Sequence, residues 1–347
     1  MTRLADITRL DRVGLPVWQA VRPASRALSV HQGKGATHEE AQLGALLEAV
    51  ESDAAERFEA TGPIGTWSDL PKHERVTHPS DFARTRTHDP TAHTVRWARA
   101  QRADGGILWV PEDIVSLDFT RGIGGPFERS SAGLATGSTL EEAKRSALLE
   151  LIERDAVSRF EALDFIDRLD FEVEPERITL DWVGEMLGTL DRHGLRLRVF
   201  APPSPTAMPV IIAGISDPSK RSRPYVGTVG HAAHPDPDMA LFKAVSEALQ
   251  SRLTFIAGSR DDCWPWDYEG TSKGMVGSLA PPPVTGIDPL DFDATPSGAS
   301  DLRSIVHALA GLGVDQLAFL ELAEPEGFHV VRAFAPGLGS LAKEARL

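Results

Sequence analysis

One helical segment is written twice in this chain without a gap, and that constrains the fold more than any other feature. GATHEEAQLGALLEAVESDAAERFEA at 35–60 and GSTLEEAKRSALLELIERDAVSRFEA at 137–162 agree at sixteen of 26 positions, so the two stretches are expected to pack in the same way. A weaker third copy, DPDMALFKAVSEALQSRLTFIAG, covers 236–258. There Ala240, Ala244, Glu247 and Gln250 stand where the second copy has Ala143, Ala147, Glu150 and Glu153. Each copy reads as a helix. Thr37 and Thr139 sit three residues before Glu40 and Glu142, the spacing of a capping box, and Asp236 can cap the third helix.

Strand-like runs lie between and after these helices: 106–119, 195–201, 208–216 and 225–230. Two further helix–strand–strand units follow the same logic. One is the helix 181–194 with the runs at 195–201 and 208–216; the other is the helix 304–313 with 315–322 and 328–335. Interleaved helices and strands predict a layered α/β (mixed α+β) fold with internally repeated helix–strand units. A proline-rich stretch at 279–301 and a polar stretch at 62–94 read as loops. Repeated units lie on both sides of each, so 1–347 is expected to form a single domain.

The chemistry is expected on the repeated helices. Residues three apart share a helix face, which pairs Glu48 with Glu51, Glu150 with Glu153, and Glu247 with Gln250. Ser146 lies one turn before Glu150. A solvated acidic face would be the ordinary reading, but here alanine, leucine, isoleucine and valine surround the acids on nearly every side. Carboxylates in such a setting need cations. Lys34, Arg154 and Arg252 are near in sequence, yet three cations do not balance five acids. A divalent metal supplies the missing charge most simply. Magnesium favours oxygen ligands and sits between carboxylates and nucleotide phosphates, so the three helices are expected to converge on one magnesium–nucleotide site.

Two turns could face phosphate. HQGKGAT at 31–37 carries Lys34 between two glycines, and SSAGLATG at 130–137 precedes a helix N-terminus. Both read equally as plain helix-entry turns, and no Walker A sequence is present. GIGGP at 122–126 reads as a turn, and His231 and His234 read as structural or exposed. HExxH, GxSxG and a strand-to-helix GxGxxG are absent. The single cysteine, Cys263, excludes an internal disulfide and a cysteine-only zinc site. With 50 acidic against 36 basic residues, net −14, diffuse binding of a nucleic-acid backbone is excluded. No apolar run is long enough for a membrane span, the N-terminus lacks a signal-like apolar core, and the cytoplasm is the expected location.

These residues resemble a known family. SSAGLATGSTLEEAKRSALLELIERDAVSRF at 130–160 is similar to the central signature of the YcaO family, GKGATHEEAQLGALLEAVE at 33–51 to its earlier helix, and ALFKAVSEALQSR at 240–252 to its later one. The order and spacing hold over roughly residues 5–338. The resemblance implies an α/β fold with ATP and Mg2+ bound among the helices. It implies metal binding by Glu48, Glu51, Glu150, Glu153 and Glu247, and nucleotide contacts from Lys34, Ser146, Arg154, Gln250 and Arg252. Gly44 departs from the pattern, because other members can carry a serine one turn before the first ExxE.

The family's chemistry is ATP-dependent activation of a peptide backbone amide. A nucleophile adds to the carbonyl, the oxygen is phosphorylated, and phosphate leaves. Sulfide as nucleophile gives a thioamide; a neighbouring Cys, Ser or Thr gives an azoline. The chain's last residues, APGLGSLAKEARL, lack the PxPxP tail common in the azoline branch. The run at 8–35 resembles the subgroup associated with TfuA partners, which is linked to thioamides. A TfuA-associated thioamide-forming enzyme is therefore expected. An azoline-forming cyclodehydratase and a non-catalytic nucleotide-binding scaffold are the alternatives. The implied partners are a precursor peptide or protein, a TfuA-like sulfur-delivery protein, a separate leader-peptide-binding protein and a second copy in a homodimer.

Overall fold

A computed structural model describes residues 1–82, 89–121, 125–204, 206–218, 227–264, 268, 300–325 and 327–338. Thirteen strands are described: β1 Arg3–Asp6, β2 Val17–Val21, β3 Val30–Lys34, β4 Ile64–Gly65, β5 Val95–Arg102, β6 Ile107–Pro111, β7 Leu134–Gly137, β8 Glu172–Val173, β9 Arg196–Phe200, β10 Val210–Ser216, β11 Gly227–Ala233, β12 Ala318–Ala323 and β13 His329–Phe334. The α-helices are α1 His38–Arg57, α2 Glu112–Val115, α3 Leu140–Ala162, α4 Phe165–Leu169, α5 Asp181–Arg192, α6 Pro237–Ala257 and α7 Leu302–Gly311.

The chain divides into two compact units, each assembled from separated segments. One comprises Met1–Pro23, Leu28–Ala49 and Arg159–Gly298; the other comprises Ala24–Ala27, Val50–Ser158 and Ala299–Leu347.

The first unit holds two antiparallel sheets, β1-β2-β3 and β8-β9-β10-β11. Its main core joins Val199, Ile211 and Ile215 of the second sheet with Val183 and Leu190 of α5 and Leu241, Val245 and Leu249 of α6. Each such fully buried side chain contributes about 1.5–3 kcal/mol. In the second unit the strands run β4-β5-β12-β13-β7, with β6 on the other side of β5. Trp97, Leu108, Val110 and Phe334 lie in its core.

The three repeats fold as helices with the expected entries. Thr37 Oγ1 accepts the Glu40 N–H and Thr139 Oγ1 accepts the Glu142 N–H. The returning carboxylates reach one residue beyond the caps, to Ala36 N–H and Ser138 N–H, at 2.8 and 2.9 Å. Asp236 caps α6 through the Asp238 N–H.

Glycines bring each helix unusually close to a strand. A Cβ on Gly33 would lie 2.1 Å from Ala41 O and Ala45 N of α1. On Gly137 it would lie 2.4 Å from Ala143 N of α3, and on Gly230 it would lie 2.3 Å from Ala244 O and Ala248 N of α6. Real side chains do not make such contacts, so these positions admit only glycine unless strand and helix separate.

The structure departs from the sequence expectations in three places. The run at 106–119 is not one strand: it stops at Pro111, where Glu112 and Asp113 start α2. Proline removes a ladder donor, and two acids favour a helix N-terminus. The small sheet β1-β2-β3 was not expected, because its strands are short and carry polar residues such as Gln19, His31 and Gln32. β11 also extends past the expected run to Ala233. Residues 225–226, 122–124 and 279–299 of the expected elements lie outside the described residues.

Candidate functional site

The three equivalent glutamates are held in one way. Each accepts a backbone N–H from the region of strand that precedes its helix. Glu48 Oε2 accepts from Gln32 at 2.6 Å, Glu150 Oε2 from Gly133 at 3.1 Å, and Glu247 Oε1 from His231 at 3.4 Å, with the donor 16, 17 and 16 residues upstream. The close strand–helix approach makes this reach feasible. One oxygen of each carboxylate is fixed to the protein, and the side chain acquires a defined direction.

In the first unit, Glu48 and Glu247 lie within mutual electrostatic range, with Lys34, His231 and Arg260 close by. Lys34 Nζ donates to Glu247 Oε2 at 3.0 Å, and His231 Nδ1 lies 3.7 Å from Oε1. Burial pushes Glu247 upward, but Lys34 and His231 outweigh it and hold the carboxyl at about 2. Glu48 goes the other way: burial raises it, and the Gln32 N–H, Arg260 and Lys34 offset this only in part.

Gln32 ties this cluster together. Its N–H goes to Glu48, its carbonyl accepts Gln250 Nε2 at 3.0 Å, and its side-chain oxygen accepts the Thr254 hydroxyl. Arg252 is held in a buried ion pair. Its Nε donates to Asp11 at 2.9 Å, and the two side chains are only 3% and 4% exposed.

In the second unit, Glu150 Oε1 is met by Arg154 through Nε at 2.8 Å and Nη2 at 2.6 Å. Burial raises the Glu150 carboxyl, opposed by Arg154 and by a second arginine, Arg332 of β13. Ser146 and Glu153 lie half-buried on α3, one turn before and one turn after Glu150. Glu51 is half-buried on α1.

Of the three cations legible near the repeats, Lys34 and Arg154 pair with Glu247 and Glu150, and Arg252 pairs with Asp11. Sequence reasoning missed Gln32, Arg260 and Arg332, and read His231 as structural or exposed. Arg332 had a signal, since it is the one charge among the apolar residues that follow His329 in the strand HVVRAF. His231 had a weaker one, lying 16 residues before Glu247 just as Gln32 precedes Glu48.

The residues fit a metal-bound nucleotide. Glu48 and Glu150 carry raised carboxyls in protein surroundings, the condition in which a hard cation relieves the most unfavourable charge. Arg332 keeps Nε and Nη1 without a hydrogen-bond partner among the described residues, which suits an anion.

Strand–helix pairs that hold a glutamate oxygen on a backbone N–H recur in both units of this α/β protein. The sequence profile described as "YcaO cyclodehydratase, ATP- and Mg2+-binding" matches residues 32–339, and the chain belongs to the YcaO family. It is 32% identical, over 97% of its own length and 83% of the relative's, to a Rhizobium leguminosarum bv. trifolii protein described as an uncharacterized protein in the tfuA 3′ region. The structure of YcaO from Methanopyrus kandleri bound with AMPPCP and Mg2+ is similar at TM-score 0.72 and 25% identity, covering 100% of this chain and 88% of that one. A heterocyclase in complex with substrate and cofactor shares the fold at TM-score 0.74 and 20% identity; the match covers 97% of this chain but about half (49%) of the heterocyclase. The domain is thus ATP- and Mg2+-binding, in a class of ATP-dependent peptide-modifying enzymes. Among the described residues no helix is long and apolar enough to cross a membrane.

Proposed function

We propose that the chain forms thioamides in a peptide or protein backbone, using ATP to activate the amide oxygen and sulfide as the nucleophile. The observation that carries the ATP-dependent part is the shared anchoring of Glu48, Glu150 and Glu247, each with one oxygen on a backbone N–H in, or just before, the strand preceding its helix. In this reading the three glutamates, with Glu51 and Glu153, bind magnesium. Lys34, Ser146, Arg154, Gln250 and Arg252 serve the nucleotide, Arg252 from beside its ion pair with Asp11.

An amide carbon is a poor electrophile and its oxygen a poor leaving group. Sulfide adds to the carbon; ATP supplies the phosphoryl group that turns the oxygen into a leaving group. The C–O bond then breaks as phosphate departs, leaving C=S, ADP and phosphate. Lys34 and Arg154 are paired with glutamates, and with metal on those carboxylates they would be available to phosphate oxygens.

Sulfur is supplied from outside or by a TfuA-type partner. The relative in the tfuA 3′ region supports that choice. A second reading, azoline formation on Cys, Ser or Thr of a precursor peptide, is favoured by the cyclodehydratase description of the matching profile. The mass of a peptide encoded beside this protein, after incubation with Mg·ATP, sulfide and any adjacent TfuA-like protein, separates the readings. Exchange of oxygen for sulfur adds about 16 Da, whereas cyclodehydration removes about 18 Da. Phosphate release without either change refutes both, and no phosphate release with the authentic peptide favours a scaffold.

A further inference from the structure

Arg332 is the most unusual charge in the second unit. It lies in the middle of β13, opposite Leu320 of β12 and Leu134 of β7, and is 3% exposed. Nη2 donates to the Ser130 carbonyl, while Nε and Nη1 have no partner among the described residues. Leaving the donors of a buried guanidinium unmet is among the least favourable arrangements a fold can retain. Burial also lowers the affinity of Arg332 for its proton, to about 10, with Glu150 opposing the shift.

Its surroundings indicate what the donors await. The Ser130 carbonyl that holds Nη2 lies three residues before Gly133, whose N–H holds Glu150. Glu150 and Arg154 are both within electrostatic range of Arg332. The Glu150 carboxylate therefore has two arginines nearby, and they differ in freedom. The Arg154 side chain is 52% exposed and can leave, whereas Arg332 is locked in a strand. Nε and Nη1 lie on different edges of the planar group, so they can serve two anions at once, which a lysine ammonium on one flexible stem cannot do with the same geometry.

We propose that Arg332 is a phosphate-binding residue: one of its free donors meets Glu150 and the other a phosphoryl oxygen of the nucleotide, in the space Arg154 vacates when Glu150 takes up metal. This deepens the nucleotide reading and rests on it. It assigns the fixed anion contact of this unit to a strand residue outside all three repeats, and gives Arg154 the part of a displaceable counter-ion.

The test is calorimetric titration of Mg·AMPPCP, and of adenosine, into wild type, R332K and R332M, with thermal melts to establish folding. Arg332→Met is expected to weaken Mg·AMPPCP about tenfold to a hundredfold, the scale of a charge-assisted hydrogen bond, and to leave adenosine binding unchanged. Arg332→Lys should recover only part of the loss. R332M binding Mg·AMPPCP within twofold of wild type overturns the proposal. So does an equal loss for adenosine, which marks a purely structural role. Where R332M does not fold, R332K decides: wild-type affinity overturns the proposal and a several-fold loss confined to Mg·AMPPCP supports it. Failure of the underlying nucleotide reading is a different outcome, in which wild type itself does not bind Mg·AMPPCP.

Discussion

Replacing Gly230 by alanine tests whether close strand–helix approach is what aims the glutamates. The new Cβ would lie 2.3 Å from Ala244 O and Ala248 N and 2.6 Å from the Glu247 Cβ. Ordinary contacts of this kind begin near 3.4 Å, so β11 and α6 must move apart by about 1 Å. Two of the obstructing atoms belong to helix backbone and cannot rotate away. Overpacking costs about 1–3 kcal/mol where side chains can yield, and this site belongs at or above the top of that range. Separation also strains the hydrogen bonds from Thr228 Oγ1 to Ala248 O at 2.8 Å, from Ser251 Oγ to Val229 O at 3.2 Å and from His231 N–H to Glu247 at 3.4 Å. Each is worth about 0.5–1.5 kcal/mol net. A loss of about 3–5 kcal/mol follows, or about 6–20 °C in Tm for a unit of this size. Gly184 on α5 is the control: a Cβ there meets nothing within 4 Å, so Gly184→Ala should gain about 0.5–1 kcal/mol. Thermal melts of both variants, with calorimetric binding of Mg·AMPPCP to G230A at a temperature where it is folded, provide the readout. G230A melting within 2 °C of wild type on the about 6–20 °C scale refutes the packing argument. Full stability loss with unchanged Mg·AMPPCP affinity refutes the link from packing to Glu247.

The other expectations concern charge. Glu150→Gln keeps the shape of the side chain but removes its negative charge, so it should stay folded and lose ATP turnover by about a hundredfold or more; phosphate release at the wild-type rate removes Glu150 from the site. Arg252→Met leaves the Asp11 carboxylate buried and unpaired, costing about 3–5 kcal/mol. The added change Asp11→Asn should restore part of this in chemical denaturation, and no recovery would contradict the pairing. For pH, the two kinds of shift have opposite signs. Glu247, held at about 2, contributes stability that is present above its ordinary value of 4.5 and is lost as pH falls towards 2. Glu48 and Glu150 are raised above 4.5, so the metal-free protein gives up their contribution as pH climbs through their folded values. Mg·AMPPCP needs those groups ionised, and the Tm increase it confers should therefore grow from about pH 5 to about pH 8. A gain that shrinks over that range would contradict the assignment.

The repeated helices were legible because their signals are local. A threonine cap, a glutamate three residues on and apolar periodicity all lie within one segment, and the structure forms α1, α3 and α6 there. The partners of the glutamates were less legible, because pairing is set by strand register rather than by sequence distance. Lys34 meets Glu247, 213 positions away, and Arg252 meets Asp11 across 241. Counting nearby cations identified a shortage of positive charge around the acids but could not show that Arg252 pairs with Asp11. Arg332 was visible as a lone charge among apolar residues, a pattern that signals either a buried pair or a ligand contact, and only the unmet Nε and Nη1 choose between them.

Gly44 shows how packing and chemistry trade within a single repeat. Its counterpart in the second copy is Ser146. In this chain a Cβ on Gly44 would come within 3.3 Å of Gly33 Cα, and one on Gly33 within 2.6 Å of Gly44 C. The two glycines form one crossing, which brings β3 against α1 and lets the Gln32 N–H reach Glu48 at 2.6 Å. At the corresponding positions of the second copy stand Ala135 and Ser146, and the bond from Gly133 to Glu150 is longer, at 3.1 Å. The third copy places Lys243 at this helix position, exposed, and its bond from His231 is longer still at 3.4 Å. In the second and third copies a side chain at this position goes with a longer bond to the glutamate four residues later. The first copy lacks the hydroxyl and has the shortest of the three bonds, from the Gln32 N–H to Glu48.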